Sequence, residues 1–233
     1  MSFAGALKSL VRARRSVDFA SLATLTPVSR KFGVDRGTPI DRYYIEQFLA
    51  QHQTLIAGSA IEVAEATYLR RFGAGRITRL AILHGGPLVE GRHSDMLCGD
   101  LTDHATLPER AFDCFVCTQT LNVIFDVPTA AAGCRHLLNP GGVLLGTVAG
   151  TSQISRFDAD RWGDYWRFSP MAIEAVLQKT GFQDIEIAPF GNLVAAIALL
   201  QGVVVEDLPD PTLLDHHDPD YVVVTGFVAR RPR

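Results

Sequence analysis

From about residue 59 onward, short β-branched runs alternate with helix-patterned stretches, and Gly and Pro punctuate the joins. That alternation leaves few folds open. Strands that recur with helices between them pair in parallel, and a parallel sheet needs helices on both faces. Apolar runs place strands near residues 60–63, 78–83, 96–98, 113–118, 143–148, 184–188 and 221–229. Helical spacing covers 41–51, with Asp41 as its cap, and 128–138, 170–180 and 193–201. Asn139-Pro140-Gly141-Gly142 stops the second of these helices and turns the chain into the next strand. The expected fold is α/β, with a mostly parallel sheet of seven strands.

The 233 residues, 47% of them hydrophobic, supply core enough for one domain, 59–233, behind a basic and partly helical lead-in, 1–58. A net charge of −3 argues against a nucleic-acid binder. The charge is uneven: Lys8, Arg12, Arg14, Arg15, Arg30, Lys31, Arg36 and Arg42 outweigh Asp18, Asp35 and Asp41, so 1–42 carries +5 and the rest −8. Such a split suits an acidic partner or phosphorylated substrate, and equally an ordinary solvated face. The longest apolar run, 193–205, is interrupted by Gln201 and Gly202, so no membrane span is expected. At the N-terminus the charges follow the apolar stretch, the wrong order for a secretory signal, which gives a cytoplasmic expectation and free, buried thiols at Cys98, Cys114, Cys117 and Cys134.

In a doubly wound sheet, ligands bind beyond the carboxyl ends of the strands where strand order reverses. The first strand ends there in Glu62-Val63-Ala64-Glu65-Ala66. Ala64 and Ala66 let backbone approach a cofactor nearly as closely as glycine, and Glu62 or Glu65 can accept from a ribose hydroxyl or an ammonium group. Asp100, followed by Leu101, tips the third strand, as an acceptor for an adenine amino group or as a plain turn aspartate. The fourth strand runs into Thr118-Gln119-Thr120, which suit either a ligand contact or an ordinary loop.

These segments resemble those of the class I S-adenosylmethionine-dependent methyltransferases, within them a bacterial group associated with glycosyltransferases in polysaccharide biosynthesis. The matching stretches are Pro27-Val28-Ser29-Arg30-Lys31-Phe32-Gly33, Asp35-Arg36-Gly37-Thr38-Pro39-Ile40-Asp41-Arg42-Tyr43-Tyr44, Tyr68 with Arg70-Arg71-Phe72-Gly73, Gly99-Asp100-Leu101, Phe112-Asp113-Cys114 with Thr118-Gln119-Thr120-Leu121, Leu138-Asn139-Pro140-Gly141-Gly142, Trp162-Gly163-Asp164-Tyr165-Trp166-Arg167-Phe168 and Gly191-Asn192. The resemblance spans about 27–229 and implies a Rossmann-like methyltransferase fold. Its last strand is antiparallel, it binds one S-adenosylmethionine, and an N-terminal lid closes over the cofactor. Two positions depart from the pattern. Ala64 stands where the family has glycine, and Ala81-Ile82-Leu83-His84 lacks the acid that holds the ribose, leaving His84 as the polar replacement.

The cofactor is thus expected along Glu62, Ala64, Glu65, His84, Asp100, Leu101, Thr118, Gln119 and Thr120, with Arg36 on its carboxylate and Tyr43 and Tyr44 closing from the lid. Trp162, Trp166 and Asn192 are expected in the substrate pocket, where aromatic faces attract a sulfonium. Asp164, His84 and Tyr165 are the candidate bases. Cys114 and Cys117, three apart in a strand, point to opposite faces as two core thiols. The cluster 215–220 holds potential metal ligands but also turn formers, and no metal is expected. His52, His93, His104 and His136 stand outside any constellation. The reading is a methyltransferase acting on a small polar acceptor, a sugar or natural-product hydroxyl. Its rivals are a cyclase that closes the methionine moiety and releases methylthioadenosine, and a non-catalytic subunit docking a glycosyltransferase or assembly-line partner.

Overall fold

Seven apolar runs form strands among the residues that the computed structural model describes, 24–85 and 95–233. Lys8, Arg12, Arg14, Arg15, Asp18 and His93 lie outside the described residues. The strands are β1 (Gly58–Val63), β2 (Ile77–His84), β3 (Met96–Cys98), β4 (Phe112–Thr118), β5 (Leu138–Ala149), β6 (Gln183–Phe190) and β7 (Val224–Arg230). They make one sheet in the order β3-β2-β1-β4-β5-β7-β6. β1 to β5 pair in parallel, while β7 runs antiparallel to both β5 and β6. Strand order reverses between β1 and β4, so their carboxyl ends open the crevice in which ligands bind in such sheets.

Helices α1 (Ile40–Gln51), α2 (Thr67–Phe72) and α6 (Leu193–Gln201) cover one face; α3 (Val127–Leu137) and α5 (Pro170–Lys179) cover the other, and the single turn α4 (Arg156–Ala159) follows β5. Both faces of β4 are therefore dry. Cys114 belongs to the α1 side and Cys117 to the α3 side, as alternation along a strand requires. Cys98 departs from the expectation of a buried thiol, because three-residue β3 is the sheet edge and leaves it exposed. Sequence punctuation sets the helix ends: Asp126, Ser169 and Asn192 accept N–H groups of Thr129, Ala172 and Ala195. Asp41 is no cap, for α1 starts at Ile40 and the Asp41 carboxylate accepts instead from the Arg42 N–H at 2.8 Å. The Asn-Pro-Gly-Gly turn is absorbed into the start of β5, where pairing with β4 shifts register and Gly141 takes φ +78°.

The described part of the lead-in, from residue 24 on, packs against the sheet. Ile40, Tyr44, Phe48 and Leu49 of α1 are fully buried against β7, where a Cβ on Gly226 would collide with the Phe48 ring. The buried residues among 40–49 thus share one core cluster with strands β1, β4, β5 and β7. Ahead of α1 the segment is stapled to the stretch after α6. Val28 donates to the Gln201 carbonyl, Thr38 to Glu206, and Arg36 forms a bidentate pair with Asp207. Among the described residues no helix is long and apolar enough to cross a membrane, and no group of three His, Cys, Asp or Glu side chains could hold a metal ion.

Candidate functional site

Strand ends carry the site because pairing fixes their backbone while the loops beyond remain free to face a ligand. Two adjoining cavities of about 730 and 770 Å³ open there and share Val63, Ala64, Thr118, Gln119, Val123 and Asp158. The larger lies over β2, β3 and β4, and the other beneath the 30–45 segment.

At the shared wall the chain leaves β1 through a tight turn. Ala64 sits at φ +67°, in the left-handed region that disfavours any residue with a Cβ, while its N–H donates to the Leu83 carbonyl at 2.9 Å. The turn delivers α2, which has no capping side chain at Ala66. Glu62, only 4% exposed, does that work from within β1, accepting the N–H groups of Tyr68 (3.2 Å) and Leu69 (2.8 Å). Burial pushes its carboxyl up to about 7, against the pull of those two donors. Glu62 is thereby committed to α2. Glu65 lines the same cavity and accepts from the Thr67 hydroxyl.

The larger cavity gathers many of the expected contacts. His84, Asp100, Leu101, Thr118, Gln119 and Thr120 all line it. Asp100 is also the turn aspartate, one carboxylate oxygen accepting both the N–H and the hydroxyl of Thr102 at 2.7 and 2.8 Å. Leu101 is buried because α3 packs tightly on its backbone, where a Cβ on Gly133 would strike the Leu101 carbonyl. Trp162 (47% exposed) and Tyr165 (50% exposed) form the opposite wall, Trp162 edge-on to His84 and Tyr165 edge-on to Phe125. This aromatic wall is tied down by Asn122, whose side chain donates to the Trp166 carbonyl and accepts from the Ala149 N–H, and whose carbonyl takes the N–H groups of Tyr165 and Trp166.

Other expected contacts fall elsewhere, each for a visible reason. Arg36 lines neither cavity because Asp207 holds its guanidinium. The Tyr43 hydroxyl donates to Asp215 and that of fully buried Tyr44 to the Leu214 carbonyl, so both point away from the crevice. Asn192 caps α6 and donates to the Leu213 and His216 carbonyls, which makes it structural. Trp166 lines neither cavity and instead fixes the 124–125 carbonyls through its indole N–H. Asp164 lines the smaller cavity, but Arg167 grips both its oxygens and the Ser155 N–H adds a third contact, holding its carboxyl below the usual range. It is a poor base. Tyr165 and His84 face the larger cavity rather than the smaller one.

Sequence reasoning missed Asp158, Arg156 and Asn122. Ser155 caps α4 by accepting the Asp158 N–H, and a Ser three residues before an acid was the available signal. Asn122 carried no such signal, since its contacts span 27 and 44 residues.

Residues 65–146 match the methyltransferase domain family model. No curated protein matches the sequence. Among solved structures, the N-methyltransferase NodS from Bradyrhizobium japonicum, in complex with S-adenosylhomocysteine, superposes with a TM-score of 0.55 at 16% identity, over 88% of this chain and 94% of that one. A SAM dependent methyltransferase from Archaeoglobus fulgidus gives 0.52 at 12% identity over 81% and 94%. The 4+2 cyclase SpnF gives 0.52 at 15% identity over 90% and 88%.

The fold is the Rossmann-like methyltransferase fold. At these identities the likeness extends to architecture alone, and it spans both transferases and a cyclase, so chemistry has to be argued from the site. Within this fold the departures from the family pattern have defined consequences here. Ala64 gives the turn after β1 a left-handed backbone, and His84 occupies the β2 tip beside Trp162.

Proposed function

We propose that the chain is an S-adenosylmethionine-dependent methyltransferase acting on a small polar acceptor. One observation carries this reading: two cavities, each of the size that binds one small molecule, share a wall formed by the β1 and β4 tips with Val123 and Asp158. When bound, the cofactor supplies an electrophilic methyl group on a sulfonium. The residues present suit it. Asp100 and Thr102 would offer polar groups to the adenine, His84 would meet the ribose, Trp162, Phe125 and Tyr165 would give apolar and π surface, and Glu65 would meet an ammonium group.

Ala64 and Gln119, at the shared wall, bring the two cavities into register, so the chain's main contribution is to align an acceptor with the methyl group and exclude water. Asp158 lines both cavities and is the carboxylate best placed to take the acceptor's proton. The second cavity favours an external acceptor over internal cyclisation. The test is incubation with methyl-labelled S-adenosylmethionine, alone and with hydroxylated acceptors. The reading expects label on an acceptor and no methylthioadenosine from the cofactor alone; methylthioadenosine without acceptor would support the cyclase instead.

A further inference from the structure

The smaller cavity has a charge pattern that methyl transfer by itself does not require. Arg30 and Lys31 from the segment before α1, Arg42 from α1 and Arg156 from α4 all line it, all are exposed, and none makes a salt bridge among the described residues. A fifth cation, Arg167, is neutralised by Asp164. The acids along the same wall form no ion pair with these four cations. Glu62 serves the N-terminus of α2, and the Asp41 carboxylate accepts from the next N–H of its own helix. Glu65 stands at the tip of β1, and Asp158 on the wall shared with the cofactor cavity. In the proposed reading Glu65 would meet the cofactor's ammonium group and Asp158 the acceptor's proton, and the four cations form no ion pair with either.

Deepening the methyltransferase reading, and resting on it, we propose that the acceptor carries a phosphate group, seated among Arg30, Lys31, Arg42 and Arg156. Four separate cations from three elements suit an anion with three acceptor oxygens and a charge of about −1.5 to −2, whereas one arginine fork would satisfy a carboxylate. Three of them, Arg30, Lys31 and Arg42, belong to the basic N-terminal stretch of the sequence.

The experiment uses the full chain at low ionic strength, where exposed charges act at full range. Calorimetry first measures S-adenosylhomocysteine binding to the wild type, and inorganic phosphate is then titrated into the loaded protein. The proposal expects saturable phosphate binding, weakened about tenfold or more by the double substitution Arg42→Gln with Arg156→Gln, both at exposed positions. Malonate, a carboxylate dianion, is expected to bind more weakly than phosphate. No S-adenosylhomocysteine binding by the wild type overturns the methyltransferase reading itself. If that ligand binds, then unsaturable phosphate binding, unchanged affinity in the double variant, or malonate binding as tightly as phosphate overturns the phosphate proposal alone.

Discussion

Replacing Glu62 with glutamine isolates the link between the β1 tip and α2. The carboxyl is raised from 4.5 to about 7 by burial, although two N–H groups hold it. That displacement corresponds to about 3 kcal/mol between the two protonation states, as an order of magnitude. The folded chain keeps a proton that the unfolded chain releases above 4.5, so the native state binds more protons between 4.5 and about 7. Stability from this group is full below 4.5, falls as pH rises through that window, and is level above it. The amide of the Glu62→Gln variant does not titrate and keeps one carbonyl acceptor for the α2 donors. Urea unfolding of both proteins at four pH values, spaced from the foot of that window to just above it, measures the difference, in which every other titrating group cancels. The expected difference moves toward the variant by about 3 kcal/mol across the series. Parallel profiles would show that solvent reaches the Glu62 carboxylate and that its burial does not tie folding to pH.

Ala64→Gly relieves a left-handed alanine and should raise stability by about 1 kcal/mol in the same assay, with S-adenosylhomocysteine affinity undiminished. Asp100→Ala should weaken that ligand by about 1–3 kcal/mol in calorimetry, and an unchanged affinity would show that the carboxylate serves only the Thr102 turn. Asp158→Asn should lower turnover by about 10²–10⁴-fold on an acceptor whose proton must leave. Arg36→Gln should leave S-adenosylhomocysteine affinity unchanged in the same titration, because Asp207 already holds the guanidinium outside both cavities.

The sheet was legible because its signals are local. Each strand is a short apolar run, and the residues just past its carboxyl end necessarily lie at the sheet's ligand-binding edge, which is how Ala64, Asp100 and Thr118 to Thr120 could be placed. The lead-in was not legible in the same way. Arg36, Tyr43 and Tyr44 looked like a lid by type, but their partners Asp207, Asp215 and Leu214 stand 171, 172 and 170 residues away, a separation no pattern in the chain reports. One cue was there for Tyr44: Ile40, Tyr44 and Phe48 recur every fourth residue, the stripe that a core-facing helix shows. Asn192 misled for a related reason, since capping α6 and lining a pocket ask for the same side chain. The pairing of Asp164 with Arg167, three residues on, was readable and would have removed Asp164 from the candidate bases.

In the proposed reading S-adenosylmethionine lies across the carboxyl ends of β1, β2, β3 and β4. Ultraviolet cross-linking with the methyl-tritiated cofactor, followed by mapping of the labelled peptides, decides whether it does. Label is expected in peptides that contain residues 62–65, 99–102, 118–126 or 162–165, and it should be lost when S-adenosylhomocysteine competes. Label confined to α5 or β6, on the far side of the sheet, or no competable label at all, would contradict that placement.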